Sequence, residues 1–110
     1  MIIDKNGNTT IITQEQISIV ELVKKIEADY ETYKNTHLVV NLTSLSQISK
    51  EEIVEFLRVN KTHRNDNKSF VLVSGKVDLN EVPDEIAVVP TLQEAFDIIE
   101  MEDIERDLDF

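Results

Sequence analysis

HLVVNLTSLSQISKEEIVEFL, residues 37 to 57, is the stretch on which the reading of this chain turns. Leu38 to Leu42 is an almost unbroken apolar, largely β-branched run, the pattern of a strand covered on both faces. A polar turn follows. Ser49, three residues ahead of Glu52, then makes a capping box, in which each side chain satisfies a backbone N–H that the first helical turn leaves unpaired. Ile48 and Ile53 flank the cap as a hydrophobic staple. The segment predicts a strand, a turn and a helix that starts at Ser49 and runs to about Thr62, with Ile53, Phe56 and Leu57 on its buried face.

Working outward, Ser69 to Ser74 (SFVLVS) repeats the buried-strand pattern, so strand, helix and strand form a parallel crossover of the usual right hand. Upstream, apolar residues at Ile19, Leu22, Val23, Ile26, Tyr30 and Tyr33 predict a helix from Ser18 to about Lys34, with Ser18 and Glu21 as a second capping box. Met1 to Ile3 and Thr9 to Ile12 are β-prone runs on either side of Asn6-Gly7, the pair favoured in a type I′ hairpin turn. Downstream, Gly75 to Glu85 is polar with Val77, Leu79 and Val82 interspersed, and fits either a short helical turn or an irregular loop. Ile86 to Val89 reads as a final strand stopped by Pro90. Thr91 and Glu94 then cap a last helix with Leu92, Ala95, Phe96 and Ile99 on one face. The expectation is an α/β domain covering residues 1 to 110, a mixed central sheet with helices packed on it in the order β-β-α-β-α-β-β-α, ending in an acidic helix or tail over 91 to 110.

Composition narrows the function. A chain of 110 residues can bury a real core without staples, and with no cysteine it has neither disulfides nor a thiolate site. The amino terminus lacks a basic leader with a long apolar run, and no segment approaches the roughly 20 apolar residues of a membrane span, so a cytoplasmic location is expected. A formal net charge of -11 repels nucleic-acid phosphates and anionic lipid, leaving a basic protein surface as the natural partner. His37 and His63 are the two histidines. Neither belongs to a metal-ligand spacing: His37 opens a strand, and His63 falls at the basic, exposed end of the second helix. Gly7 and Gly75 lie too far apart for a phosphate loop. Asp4-Lys5-Asn6-Gly7-Asn8 lacks the frame of a calcium loop and reads better as the hairpin. No catalytic residue, cofactor or metal is implied. A small acid-base hydrolase built on helix or tail carboxylates is the last alternative, because paired acids do such chemistry only where a pocket separates their pKa values.

Two anchors carry a family resemblance. Asn41-Leu42 at the strand end, followed by the turn and the helix start at Ser49, resembles the STAS domain, the fold of bacterial anti-sigma factor antagonists. In that family a strand ending Asp-Leu leads into an Asp-Ser-Ser-Gly-Leu helix start. In the ungapped register Ser49, Lys50, Glu51, Glu52 and Ile53 take those positions, so Glu51 stands where the family carries its phosphorylated serine. Val89-Pro90-Thr91-Leu92-Gln93-Glu94-Ala95 is similar to the strand, Pro-Thr-Leu-Glu-Glu-Ala turn and helix that close many such domains.

What the resemblance implies is a STAS-like fold and a non-catalytic protein-interaction module, with an anti-sigma kinase-like protein as partner and a docking surface at Asn41, Ser44, Ser46, Ser49, Lys50, Glu51 and Glu52. Glu51 would hold a permanent charge short of the -1.5 to -2 of phosphoserine, at about -1. Its plainer reading is a first-turn carboxylate favoured by the helix dipole, worth about 0.3 to 1 kcal/mol. Ser44, Ser46 and Ser49 become possible phosphate acceptors if the loop register differs, although Ser49 is better occupied as the cap and the other two read as ordinary turn serines. Short chains of this look in the Bacteroidetes are also encoded beside ribonuclease Z and can carry that label, which makes an accessory protein to a co-encoded nuclease the second reading. The enzyme itself needs a two-metal centre rich in histidine and aspartate, which two histidines do not furnish.

Arg58, Lys61, His63, Arg64 and Lys68 form the one basic patch, at the end of the second helix and in the loop after it. It suits the helix C-terminal dipole. It also suits the acidic tail of another copy, as in a homodimer, since residues 94 to 110 hold eight carboxylates against Arg106 alone. That tail carries Ile98, Ile99, Met101, Ile104, Leu108 and Phe110 among its acids. Packing on the chain's own core is expected through Ile99; beyond Ile104 an acidic amphipathic segment read by a partner's groove is the alternative.

Overall fold

Strands β1 (Ile2–Asn6), β2 (Thr9–Thr13), β3 (His37–Asn41), β4 (Phe70–Val73) and β5 (Ala87–Val89) lie side by side in chain order in a computed structural model, which describes residues 1 to 108. β1 pairs antiparallel with β2, and every later neighbour is parallel, so the sheet is mixed as expected. Five helices accompany it among the described residues: α1 (Ile19–Ala28), α2 (Tyr30–Tyr33), α3 (Lys50–Val54), α4 (Leu57–Asn65) and α5 (Leu92–Leu108). None of them is long and apolar enough to cross a membrane.

Alternation along β3 divides the core. Leu38 and Val40 face α1 to α4 in the larger cluster, with Ile12, Leu22, Ile26, Phe56, Phe70 and Leu72. Val39 faces the other way and joins Val71, Val73, Ala95 and Ile99 beneath α5. Leu92 and Ile98 are half-buried against that second cluster, so of the apolar face expected of the last helix Leu92, Ala95 and Ile99 pack, while Phe96 is half-buried outside the cluster.

Several local expectations are corrected. The hairpin pairs Asn6 with Thr9, so its two-residue loop is Gly7-Asn8 and not Asn6-Gly7. Gly7 sits at φ +62° as the first loop residue while Asn8 keeps a negative φ, the pattern of a turn that needs glycine only there. The long first helix breaks at Asp29 (φ -105°, ψ 20°), and the change of direction buries Tyr33 and brings the Tyr30 hydroxyl to α4. The second breaks at Glu55 and Phe56, whose N–H groups bond three residues back, to Glu52 and Ile53. This tighter winding aligns Ile53, Phe56 and Val59 on one buried line and leaves Leu57 only half-buried. The helix then runs past Thr62 to Asn65, where Lys68 N–H bonds His63 O and Asn67 N–H bonds Arg64 O. Asn67 takes the left-handed conformation (φ 63°) that this closing motif requires.

All three capping serines and threonines accept from a backbone N–H, Ser18 from Glu21, Ser49 from Glu52 and Thr91 from Glu94. Only at Ser49 does the glutamate return the bond. The undecided segment from Gly75 to Glu85 holds a 3-10 turn at Leu79–Glu81, capped by Asp78. The tail is helical through Leu108, and Phe110 lies outside the described residues.

Candidate functional site: the two ends of the sheet

Strands β2 to β5 all point the same way, so the turn after β3 lies at the end where they finish. Backbone bonds from Gln14 to Asn41, Leu42 to Val73 and Ser74 to Val89 lace that end together. Beyond them, part of the expected docking surface is occupied in building the turn. Asn41 Oδ1 accepts from Thr43 N–H at 3.1 Å. Ser44 Oγ lies 2.9 Å from Gln14 O and 2.8 Å from Gln14 Oε1, and its one proton can serve either. Gln14 is itself buried and donates through Nε2 to the carbonyl of Ile17, so Ser44 is tied to the body of the domain. Ser49 and Glu52 are engaged with each other in the cap. The remaining residues are free. Ser46, Lys50 and Glu51 are exposed, with no side-chain hydrogen bond or ion pair among the described residues. One turn along from Glu51, Val54 is also exposed.

The opposite end, where β3 and β4 begin, is built differently. Arg64 spends its guanidinium within the chain: Nε donates to Asn60 Oδ1 at 3.1 Å, Nη2 to Phe70 O at 3.1 Å and Nη1 to Glu102 at 3.2 Å. Ser69 Oγ donates to Glu102 Oε1 and receives Arg106 Nη2 at 2.9 Å. Arg106 Nη1 reaches Asp103 at 2.9 Å. His37, buried, accepts Ser69 N–H at Nδ1 (2.9 Å), so its neutral form carries the proton on Nε2 and donates to Asp103 at 3.1 Å. Burial lowers the His37 pKa, with Asp103 pulling the other way. The acidic tail thus docks on its own chain's bases, the contact that the sequence offered to a second copy.

The basic patch is divided accordingly. Arg58 is 77% exposed and meets Glu27 of α1 through a two-pronged bond at 2.6 and 2.8 Å. That bond holds the Glu27 carboxyl below its usual range. Lys61 and Lys68 have no ion pair among the described residues. His63 is corrected outright, being 0% exposed rather than at the surface. Its Nδ1 is 2.8 Å from the Tyr30 hydroxyl, which lies 3.0 Å from Asp66. The Tyr30 hydroxyl can give its proton to Asp66 or to Nδ1, and His63 Nε2 has no hydrogen-bond partner among the described residues. Burial pushes the His63 pKa down to about 4. The same Tyr30 hydroxyl is pushed upward by burial and by Asp66. No group of three metal-ligating side chains converges among the described residues.

Sequence reasoning missed Gln14, Ser69, Asp103 and Arg106. Their only signal is polarity at strand ends and on an acidic helix, and their partners lie 30 to 66 residues away in the chain.

No protein-family model and no curated protein matches this sequence. In three dimensions the chain is similar to a serine-to-glutamate variant of RsbS from Moorella thermoacetica, with 14% identity over 89% of this chain and 95% of that one, at a TM-score of 0.62. It is also similar to a chain of the stressosome, described as a signal integration and transduction hub, with 14% identity over 89% of this chain and 95% of that one, at a TM-score of 0.58. RsbS is a STAS-domain protein, and the fold of this chain is the STAS fold.

Proposed function

We propose that this chain is a non-catalytic regulatory module that docks on another protein through the turn and helix start after β3, with Glu51 as a fixed negative charge. One observation carries the reading. Around a turn in which Asn41, Ser44, Ser49 and Glu52 are engaged by Thr43 N–H, Gln14 and the capping box, Ser46, Lys50 and Glu51 are outward and unengaged, and Val54 adds apolar surface beside them. A side chain with no intramolecular partner can bind another protein without first giving up a bond, at an ordering cost of about 0.5 to 1.5 kcal/mol. The RsbS variant supports the reading in two ways: it shares the fold, and it carries glutamate in place of a serine. In the ungapped register this chain has glutamate at the family's switch position by itself. A carboxylate there keeps one charge at neutral pH, so the module would stay in one binding state instead of cycling with phosphorylation. The complementary partner is a protein with a cationic docking site, of the kinase-like kind that the resemblance implies.

Affinity capture with the intact protein tests this. A partner retained by the natural chain should be lost, by about tenfold or more in retained amount, on Glu51→Lys, and partly kept on Glu51→Gln. Equal capture by all three proteins, matched for thermal stability, would remove Glu51 from the docking surface.

A further inference from the structure

The single helix on the second face leaves part of the sheet bare. α5 packs on β3, β4 and β5. Five strands spaced about 4.8 Å apart span close to 20 Å, whereas one helix with its side chains is about 10 Å across. The strip over β1 and β2 is what remains uncovered. The register shows what that strip presents: Ile11 stands level with Val39 of the α5-side cluster, and Asp4 and Ile2 of β1 stand on the same side, opposite Ile11 and Thr13. All five residues of β1 are exposed. Between the hairpin tip and α5 runs a groove of about 450 Å³, whose helix wall is Phe96, Ile99, Glu100, Asp103, Ile104 and Asp107. Ile104 is 54% exposed there.

Charge decides the occupant. Asp103 is paired with Arg106 and accepts a hydrogen bond from His37, but Asp4, Glu100 and Asp107 have no ion pair among the described residues. Lys5 points to the other face, beside Thr10. The α5 side of the groove is therefore apolar at Phe96, Ile99 and Ile104 with an uncompensated acidic rim, its opposite wall is the polar turn Asn6 to Thr9, and Ile11 and Asp4 lie on the bare strip beside it. A second copy would bring the same acids face to face on a chain of net charge -11, and an anionic membrane is repelled for the same reason.

We infer that this groove binds an amphipathic helix of another protein, with its apolar stripe seated on Ile11, Phe96 and Ile104 and its lysines or arginines meeting Glu100, Asp107 and Asp4. Such a helix would lie beside α5 and complete the second layer over β1 and β2. The groove adjoins the strand starts, away from the turn after β3, so it stands or falls separately from the Glu51 surface.

The test is an NMR titration of the labelled full chain with an 18-residue helical peptide of leucine and lysine, its leucines spaced three and four apart, against a scrambled peptide of the same composition. Expected are shifts confined to residues 4 to 13 and 96 to 107 with the patterned peptide, and a dissociation constant raised about tenfold or more by Ile104→Lys and by the pair Glu100→Lys with Asp107→Lys. Glu51→Lys should leave this binding unchanged. Equal binding of the scrambled peptide, shifts that map elsewhere, or affinity indifferent to Ile104→Lys would overturn the proposal. So would a concentration-dependent dimer of the chain alone that Ile104→Lys abolishes, since that would assign the groove to a second copy.

Discussion

At the two ends of its parallel strands this protein treats charge in opposite ways. Where the strands begin, His37, Arg64, Ser69, Glu102, Asp103 and Arg106 are knitted into one network across β3, β4, α4 and α5. Where they finish, Lys50 and Glu51 stand free in solvent beside a capping box that needs nothing outside the first helical turn. The difference is one of desolvation. A charge drawn toward the interior must be paired and hydrogen-bonded or it costs more than it returns, so the first end is structural. A charge left in water contributes almost nothing to stability and keeps its full capacity to bind. The proposed surfaces at Glu51 and along the α5 groove both draw on charges of the second kind.

Acid should expose the contrast most strongly. His63 titrates at about 4 in the folded protein against an ordinary 6.5, so below pH 6.5 the unfolded chain gains a proton that the folded one refuses. Stability is complete above pH 6.5 and declines as the pH falls to about 4, by as much as ~3 kcal/mol, with His37 adding to the loss in the same direction. Urea midpoints measured across that window should fall steeply, and a folded His63→Gln variant should flatten the curve. An unchanged curve would mean that the burial of His63 does not govern its proton.

Removing a member of the network comes next. Arg64→Ala takes from Glu102 its close cationic partner, leaving it Ser69 Oγ, and takes from the Phe70 carbonyl its side-chain donor, and should cost about 2 to 3 kcal/mol by chemical denaturation. A cost under 0.5 kcal/mol, the range typical of a surface substitution at about zero to half a kcal/mol, would place this end in the same class as the other. The smallest effects belong to the strand-finish end. Ser49→Ala removes the cap and should cost about 1 kcal/mol, whereas Glu51→Ala should change stability by less than about 0.5 kcal/mol. If Glu51→Ala proved the more damaging of the two, Glu51 would be structural and the contrast between the ends would collapse.

Legibility follows the range of the interaction. The strand Leu38 to Leu42, the cap at Ser49, the final strand and the helix after Pro90 were readable because alternation, capping and proline act within about four residues. The STAS fold was readable from their order together with the two family-like junctions. The helix breaks at Asp29 and at Glu55-Phe56 were not, since no glycine or proline marks them. They arise from the demand that Tyr33, Phe56 and Val59 all reach one core. His63 misled for the same reason: its neighbours Lys61 and Arg64 make the segment look solvated, yet the stripe made by tightening the turn carries His63 inside with Val59 and Asn60.

The candidate site divides along the same line. From the sequence came the position of the turn, the exposed first helical turn and Glu51 within it. Only the fold separated Ser44, held by Gln14, from Ser46, whose side chain has no hydrogen bond among the described residues. Only the fold sent the acidic tail back onto Arg64 and His37 of its own chain. Local order is encoded in neighbouring residues, and so a string of letters suffices to find it. Whether a charged side chain is spent or available depends on partners brought together from distant parts of the chain, which only packing against the sheet decides.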